Sequence, residues 1–299
     1  MSGRAAGRRG ARDGRRAMRR VRRVADVRRA IARWRKQGRS IAFVPTMGAI
    51  HAGHLSLVSL ARRSADRVVA SIFVNPLQFG PHEDFRRYPR PIRRDRIAFA
   101  KEGVDLLWEP ALEDVYPPGD ATRVRVERLT EPMEGTSRPG HFEGVTTVVL
   151  RLLNVVQPDV LWLGRKDAQQ ARVIEQMCRD LHVPVDVRRA PTVREADGLA
   201  LSSRNRYLDA RLRVQAVTLS RGLDAARALL DRGERSAARL KRAVRAAWRD
   251  ARDVHEDYVA VVDAATLQPV SRVKGRVLVA VAARVGPARL IDNFEWSAR

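Results

Sequence analysis

The sequence is short of the residues that mark several common classes of protein. It has one cysteine, Cys178, so it forms no internal disulfide, and a lone thiol fits a reducing cytoplasm. No apolar run approaches the roughly 20 residues that a membrane-spanning helix needs. The basic N-terminus contains no apolar stretch, so we do not expect a secretory signal. Aromatic residues make up 5% of the chain, too few for the base-stacking surface of a nucleic-acid-binding protein.

Acidic residues are scarce relative to basic ones, which gives the chain a formal charge of +24. The imbalance is greatest in residues 1–40, where 16 Arg and Lys face two acids, Asp13 and Asp26. Residues 1–17 are mostly Gly, Ala and Arg with almost nothing to bury, so we expect a disordered basic extension there and a natural start at Met18. The remaining charge is spread thinly, which disfavours a specific nucleic-acid partner.

The chain also lacks the motifs of several enzyme classes. No side chain stands out as a nucleophile held by a base, which disfavours a covalent hydrolase. No carboxylate pair points to glycosidase chemistry, and no Walker motif is present. No Cys or carboxylate lies near His51 and His54 at the spacing of a zinc site, so we expect no metal held by the protein alone.

Residues 41–54, I-A-F-V-P-T-M-G-A-I-H-A-G-H, are the most informative stretch. The apolar run 41–44 predicts a buried strand that ends at Pro45, which has no N–H to donate. A loop containing glycine and the start of a helix follow. Such a turn directs free backbone N–H groups and the positive end of a helix dipole at one place, where a phosphate can bind. His51 and His54 lie on the same side of that helix start, His54 nearer to it, and both can donate to phosphate oxygens.

Hydrophobic periodicity predicts an α/β protein. The predicted helices are 26–37, one after His54, 92–102, 145–156, 168–181, 209–231 and 236–251. The predicted strands are 41–44, 68–74, 104–108, an edge strand at 122–126, 159–163, 183–187, 257–262, 276–284 and 289–293. Strand, helix and strand within about 35 residues indicate a parallel βαβ unit. After about residue 205 the pattern changes to that of a small α+β domain, whose boundary we expect near residue 190.

Polar side chains follow three of the predicted parallel strands. They are His51 and His54, Asn75 and Gln78, and Lys166 and Asp167. Because ligands of parallel sheets bind beyond the carboxyl ends of the strands, we expect these side chains along one rim. A lysine at a strand-to-helix turn is a suitable point charge for a phosphate.

Some of these polar residues have a simpler structural explanation. Asn75 is typical of a turn, and Asp167 of a helix N-cap. Gln78 is not a turn residue, which makes a binding role more attractive. Gln169 and Gln170 are expected on the surface of a helix.

Two polar loops lie between the predicted elements. Residues 135–144 contain three glycines with Arg138 and His141, a combination that suits either an anion or a simple connector. Residues 197–205 are small, hydroxyl-rich and basic. They suit either closure over a triphosphate or an ordinary turn, and the donors in question are Ser202, Ser203 and Arg204.

Seven motifs occur in a fixed order. They are P-T-M-G at 45–48 with H-A-G-H at 51–54, S-I-F-V-N-P-L-Q-F at 71–79, Y-P-R at 88–90, S-R-P-G-H-F-E-G-V at 137–145, N-V-V-Q-P-D at 154–159, G-R-K-D-A-Q-Q at 164–170 and D-G-L-A-L-S-S-R-N at 197–205. On these motifs, residues 18–299 resemble the pantoate–β-alanine ligase family of the HxGH nucleotidyltransferase superfamily.

The resemblance implies a Rossmann-like, doubly wound parallel sheet in residues 18–190, a smaller C-terminal α+β lid domain in residues 191–299, and a cytoplasmic homodimer. It implies ATP-dependent condensation of (R)-pantoate with β-alanine. Pantoate attacks the α-phosphorus of ATP to give pantoyl adenylate and pyrophosphate. The amine of β-alanine then attacks the acyl carbon, giving pantothenate and AMP. Mg²⁺ would come with ATP, without a cage of protein ligands.

The resemblance also assigns residues to the site. The implied catalytic residues, which would stabilise phosphate charge, are His54, His51, Lys166, Ser202, Ser203 and Arg204. The implied ATP-binding residues are Met47, Gly48, Ala49, Ile50, His51, Ala52, Gly53, His54, Gly164, Arg165, Lys166, Asp167, Val193, Leu201, Ser202, Ser203 and Arg204. The implied pantoate- and β-alanine-binding residues are Gln78, Gln170, Asn75, Arg138 and His141. No metal ligand is implied.

Three positions depart from the family pattern. Ala52 replaces an acidic residue, Leu163 an aromatic one and Arg165 the usual Glu; we expect Arg165 to face solvent. Two alternatives stay open. Another HxGH-type nucleotidylyltransferase would share the histidines but lack the pair Gln78 and Gln170. A basic nucleic-acid-binding protein would need base-stacking aromatics on a basic surface.

Overall fold

The computed structural model describes residues 17–81 and 83–298, so almost all of the expected disordered extension lies outside the described residues. Within them, a six-stranded sheet has the order β1-β4-β3-β2-β5-β6, and all paired neighbours are parallel. Its strands are β1 (Arg19–Val21), β2 (Ile41–Thr46), β3 (Arg67–Ile72), β4 (Leu106–Trp108), β5 (Val160–Gly164) and β6 (Asp186–Ala190). The order winds outward from β2 in both directions, as expected for a doubly wound sheet.

Helices cover both faces of the parallel sheet. They are α1 (Val24–Lys36), α2 (Ala52–Ser64), α3 (Ile92–Glu102), α4 (Leu112–Val115), α5 (Glu134–Ser137), α6 (His141–Val156) and α7 (Ala168–Asp180). Helices α1, α6 and α7 pack on one face, and α2 and α3 on the other. Strand β2 is apolar throughout its first four residues because Ile41 and Phe43 enter one core while Ala42 and Val44 enter the other.

A smaller antiparallel sheet, with the order β7-β8-β9, follows in the C-terminal part. Its elements are α8 (Ala210–Asp231), α9 (Ala237–Ala246), β7 (Val254–Asp263), β8 (Val277–Val285) and β9 (Ala288–Trp296). One face of this sheet packs on α8 and α9, and the other places Leu278 and Ala280 in the core shared with α6 and α7. The expected α/β fold with a smaller C-terminal α+β part is confirmed. The exact domain boundary at residue 190 stays a prediction.

None of the helices that the structure describes is both long and apolar enough to cross a membrane.

The expectation that Pro45 ends the first strand is wrong. Pro45 lies inside β2, opposite Ser71 of β3. The pairing of β2 with β5 involves only Ala42 and Phe43, so the missing N–H of Pro45 removes no partner from that side.

The expected edge strand at residues 122–126 is also wrong, since no strand is assigned within this described segment. Its backbone bonds instead to side chains of α6. The N–H of Val124 donates to Thr147 Oγ1 at 2.9 Å, and Thr146 Oγ1 donates to the carbonyl of Val124 at 2.5 Å. The hydroxyls of Thr146 and Thr147 thus take the place of the backbone hydrogen bonds that a neighbouring strand would supply.

Two further strands differ from the expectation. The strand expected at 183–187 is β6, Asp186–Ala190, because the N–H of Val183 still bonds to Cys178 at the end of α7. The short strand β1 was missed, since its three residues include two arginines and only Val21 is buried.

The turn after β3 lies against the start of α6 with no room for a side chain between them. A Cβ added at Gly144 would meet the carbonyl oxygen of Leu77 at 2.2 Å and the N of Gln78 at 2.7 Å. The carbonyl of Gly144 also accepts from Asn75 Nδ2 at 3.0 Å. Glycine at this position therefore fixes the distance between α6 and the turn that carries Gln78.

We predict that Gly144→Ala lowers the free energy of unfolding by about 1–3 kcal/mol, because the new methyl group must displace backbone. Urea denaturation followed by circular dichroism measures this as a lower midpoint with an unchanged slope. Gly275→Ala is the matched control, since a Cβ there meets nothing within 4 Å. Equal midpoints for the two variants would contradict the packing argument.

Candidate active site

A cavity of about 230 Å³ lies beyond the carboxyl ends of β2, β3 and β5. Its wall includes residues from most of the sequence motifs. The predicted site residues in the wall are Met47, His51, Gly53, His54, Asn75, Gln78, Gly164, Lys166, Asp167, Gln170, Val193, Leu201, Ser202, Ser203 and Arg204. The predicted site residues outside the wall are Gly48, Ala49, Ile50, Ala52, Arg165, Arg138 and His141. The strand ends therefore bring together most of the residues that the sequence singled out.

The loop between β2 and α2 is held by a buried carboxylate from another element. Asp95, in the first turn of α3, accepts from the N–H groups of Ala49 and Ile50, both at 2.8 Å. The N–H of Gly48 donates to Thr46 Oγ1 at 3.2 Å. The expectation that these backbone N–H groups are free for a phosphate is therefore wrong. In the described part of the chain, the N–H groups of Ala52 and Gly53 in the first turn of α2 have no backbone partner.

The two histidines lie side by side at the start of α2, with ring centroids 4.0 Å apart. His51 is the N-cap residue and His54 lies three positions further on, so the expectation that His54 is nearer to the helix start is wrong. The N–H of His51 donates to His54 Nδ1 at 3.3 Å. Because Nδ1 of His54 is an acceptor, the proton of the neutral ring is on Nε2.

Gly53 allows the ring of His51 to pack closely against the helix start. A Cβ at Gly53 would meet Nδ1 and Cε1 of His51 at 3.0 Å. Nδ1 of His51 is itself buried and has no hydrogen-bond partner among the described residues.

Both histidines are neutral at physiological pH. Burial, followed by the positive charge of Lys166, lowers the pKa of His51 to about 4. Burial and the neighbouring His51 lower the pKa of His54 to about 3. A neutral imidazole still donates one hydrogen bond, so His54 offers its Nε2–H without carrying a charge.

The side-chain amide of Gln78 is oriented by a chain of buried polar groups. Tyr116 donates its hydroxyl to Asn75 Oδ1 at 2.7 Å, and Asn75 Nδ2 donates to Gln78 Oε1 at 3.2 Å. Gln78 Nε2 lies 3.0 Å from Met47 Sδ. Asn75 is thus a buried connector between the turn and α6, and the NH₂ end of Gln78 is the end left for a ligand.

Arg138 and His141 support this turn from outside the cavity wall. His141 Nδ1 donates to the backbone carbonyl of Gln78 at 2.8 Å, and Arg138 donates to His141 Nε2 at 3.0 Å. Arg138 also forms a bidentate pair with Glu83 at 2.6 and 2.7 Å. The structure therefore gives these two residues a role in fixing Gln78.

The turn between β5 and α7 presents Lys166 to the cavity. Its Nζ lies 3.5 Å from Asp167 Oδ1. Asp167 occupies the N-cap position of α7, but its side chain makes no capping hydrogen bond. Gln169 is buried and bonds to the backbone of residues 129, 132 and 134, so the expectation of a surface position is wrong. Gln170 lines the cavity, and Arg165 is exposed as expected.

The loop with Ser202, Ser203 and Arg204 closes the cavity on the side of the C-terminal part. Arg204 forms a bidentate pair with Asp84 at 2.7 and 3.1 Å. Tyr88 lies 3.4 Å from Ser203 through its hydroxyl. The loop after β3 and the Ser202–Arg204 loop therefore meet at the cavity. One edge of the Arg204 guanidinium is occupied by the carboxylate of Asp84.

Sequence reasoning missed three residues that shape this site. Asp95, Asp84 and Tyr88 were not assigned to it, although Tyr88 belongs to a quoted motif. Asp95 had a weak signal, as a lone acid among arginines at the start of a predicted helix. Among the described residues, no group of three or more His, Cys, Asp or Glu is placed to hold a metal ion.

The comparisons with known proteins cover most of the chain. The family model for pantoate-beta-alanine ligase matches residues 19–295. The chain belongs to the pantoate–β-alanine ligase family. A pantothenate synthetase from Moorella thermoacetica is 54% identical over 273 residues, which are 90% of this chain and 95% of that protein.

Solved structures of this ligase family agree with the fold. Pantothenate synthetase from Thermus thermophilus aligns with a TM-score of 0.88 at 50% identity, covering 93% of this chain and 99% of that one. Pantoate-beta-alanine ligase from Francisella tularensis, described as a complex with beta-gamma ATP and beta-alanine, aligns with a TM-score of 0.76 at 33% identity, covering 93% and 97%.

The buried histidines predict that this ligase loses stability in mild acid. Burial and Arg138 lower the pKa of His141 to about 4, below the value of 6.5 expected in the unfolded chain. Below pH 6.5 the unfolded state therefore binds a proton that the native state refuses until about pH 4, and stability falls as pH falls through this window. We expect His141 to contribute about 2 kcal/mol of lost stability between pH 7 and pH 5.

Urea denaturation at pH 7 and pH 5 tests this, with His141→Asn as the variant. Asparagine retains a donor where His141 Nδ1 lies and does not titrate, so the variant should lose less stability than the wild type over the same interval. An unchanged pH dependence in His141→Asn would contradict a neutral, buried His141.

Proposed function

We propose that the protein condenses (R)-pantoate with β-alanine at the expense of ATP, through a pantoyl-adenylate intermediate. The observation that carries this proposal is the shared cavity of the two histidines, Lys166, Arg204 and the pair Gln78 and Gln170. Side chains that can donate hydrogen bonds to phosphate and side chains that can donate them to a carboxylate thus face one cavity. The family membership supports the same reaction.

The ATP side of the cavity consists of donors of three kinds. Lys166 supplies a point charge, Arg204 a planar fork and the Ser202 and Ser203 hydroxyls neutral donors for the triphosphate. Asp167 lies where it can accept from ribose hydroxyls, and Val193 and Leu201 offer an apolar wall for the adenine ring. Since Asp84 occupies one edge of Arg204, we propose that the other edge meets the phosphates.

The pantoate side combines amide donors with apolar surface. Gln78 offers its NH₂ group, which suits a carboxylate or hydroxyl oxygen of pantoate, and Gln170 faces the same space. Valines and Leu152 of α6 line the wall nearby, in keeping with the two methyl groups of pantoate. Asn75, Arg138 and His141, expected to bind substrate directly, are proposed here to act by holding Gln78.

The adenylation step needs charge stabilisation without a general base, because the attacking pantoate carboxylate is already ionised. As it attacks the α-phosphorus, negative charge grows on the phosphate oxygens and on the departing pyrophosphate. His54 donates from Nε2 to this charge, and Lys166 neutralises part of it. The low pKa of His54 keeps the ring neutral, so it serves as a fixed dipole and transfers no proton.

The second step requires β-alanine beside the acyl carbon of the adenylate. We place its amine near Gln78, where the turn after β3 borders the cavity. Attack of the amine on the acyl carbon expels AMP, whose phosphate stays against the donors used in the first step. The contact between Tyr88 and Ser203 narrows the entrance to the cavity, which limits the water that competes with the amine for the adenylate.

Mg²⁺ fits this site as a companion of ATP. No three potential metal-binding side chains cluster in the described part of the chain, so the ion would be bound mainly by phosphate oxygens and water. When bound, it supplies charge neutralisation on the triphosphate. We further propose a cytoplasmic homodimer, on the strength of the family and of the single cysteine.

Release of AMP that depends on all three substrates tests the proposed function. ATP, pantoate and β-alanine together should yield AMP and pantothenate in equal amounts. Omitting β-alanine should leave only one turnover of pyrophosphate release, because the adenylate then stays bound. Steady AMP release without β-alanine would point to another nucleotidylyltransferase, and no AMP with all three substrates would refute the proposal.

We predict that His54→Ala and Lys166→Ala each lower turnover at least ~100-fold, which is about 2.7 kcal/mol of transition-state stabilisation. His54→Gln should retain more activity than His54→Asn, since only glutamine places an amide donor near the original Nε2. Exposed His255→Ala serves as the control and should keep wild-type turnover. A loss below tenfold in either alanine variant would remove that residue from the mechanism.

A further inference from the structure

Strand β9 of the C-terminal sheet reaches the turn that carries Lys166. Asn293 is buried, and its Nδ2 donates to the backbone carbonyl of Lys166 at 2.7 Å and to that of Arg165 at 3.1 Å. Both partners are carbonyl oxygens, which only accept, so the amide of Asn293 has one possible orientation. Asn293 and Lys166 are 127 positions apart in the sequence, so this contact joins two distant segments.

Asn293 is itself held firmly. Its own N–H donates to Asp292 Oδ1 at 2.7 Å, and Asp292 forms a bidentate pair with Arg194 at 2.6 and 2.9 Å. Asp292 is 3% exposed, so the carboxylate end of this pair is shielded from solvent. The donor that reaches the Lys166 turn is therefore fixed by the sheet on one side and by an ion pair on the other.

The Lys166 turn has few anchors of its own. Residues Arg165–Asp167 form a single 3-10 turn, and neither Gly164 before it nor Asp167 at its end supplies a capping side chain. The ammonium group of Lys166 has Asp167 at 3.5 Å as its ionic neighbour. Within residues 17–81 and 83–298, the two contacts from Asn293 are the side-chain hydrogen bonds that reach the carbonyls of this turn, which otherwise depends on the ends of β5 and α7.

We propose that Asn293 is a positioning residue for Lys166, acting from the C-terminal sheet through the backbone of the turn. This inference rests on the proposed function, in which Lys166 stabilises phosphate charge. Without the amide, the carbonyls of the turn must find water, and the lysine can shift. A displacement of about 1 Å at a reacting centre can cost on the order of 100-fold in rate.

The experiment measures pyrophosphate release with ATP and pantoate, before β-alanine is added. Asn293→Ala should lower the rate of this first step by roughly 10- to 100-fold. Asn293→Asp, which has the same shape, should be at least as slow because it turns an oxygen toward both carbonyls. Glu295→Gln on the same strand is the control, since Glu295 pairs with Arg189 and Arg276 away from the cavity, and it should stay within twofold of wild type.

A double-mutant cycle separates positioning from general destabilisation. If Asn293 acts through Lys166, then Asn293→Ala should cost less than threefold in a Lys166→Ala background, whereas independent effects multiply. Multiplied losses, or wild-type rates in folded Asn293→Ala, would overturn the proposal. Urea midpoints of each variant identify any that fail to fold.

Titration calorimetry with ATP alone distinguishes this inference from the function on which it rests. Asn293→Ala should bind ATP several-fold more weakly than Glu295→Gln. If the wild type releases no pantoate-dependent pyrophosphate, the proposed function fails, and the ATP affinities then decide the role of Asn293. Equal ATP affinities of Asn293→Ala and Glu295→Gln would then refute the positioning role of Asn293.

Discussion

The geometry of the site depends on one buried carboxylate. Asp95 accepts from two successive N–H groups of the loop between β2 and α2, and it does so from α3, on a different βα unit. Burial raises the pKa of this carboxyl group, while the two amides oppose that shift by favouring the ionised form. The loop adopts a left-handed backbone at Ala49, with φ of 51°, a conformation that an alanine keeps only when its surroundings fix it.

Because the loop amides bond within the protein, fewer backbone N–H groups are left for a bound phosphate. A glycine loop at a helix start often binds phosphate through its backbone, but the donors at residues 48–51 are already paired within the protein. The backbone donors left at this helix start are those of Ala52 and Gly53, and burial keeps both histidines neutral. The site therefore concentrates its positive charge on Lys166 and Arg204, and each of these has a carboxylate beside it.

Much of the fold and of the site was predictable because the relevant signals are local. The apolar run of β2 and the polar residues after each strand place His51, Gln78 and Lys166 on one rim by the geometry of parallel sheets alone. Pairing between distant segments leaves no such signal. Nothing near Asp95 in the sequence reveals that its partners are 45 and 46 residues away. Likewise, the alternating pattern around Val124 is that of an edge strand, although the partner of its N–H is a threonine hydroxyl.

The C-terminal sheet shows the same limit on a larger scale. Strand β9 was predicted as an ordinary strand, yet three of its side chains each contact a different distant segment: Arg289 pairs with Glu134, Asp292 with Arg194 and Asn293 with the Lys166 turn. Buried ion pairs of this kind add little net stability, because desolvation offsets their attraction. Replacing one partner, however, leaves a buried charge without a counter-ion, which costs about 3–5 kcal/mol. Each of these partners lies in a distant segment of the chain, so the sequence of β9 alone does not reveal them.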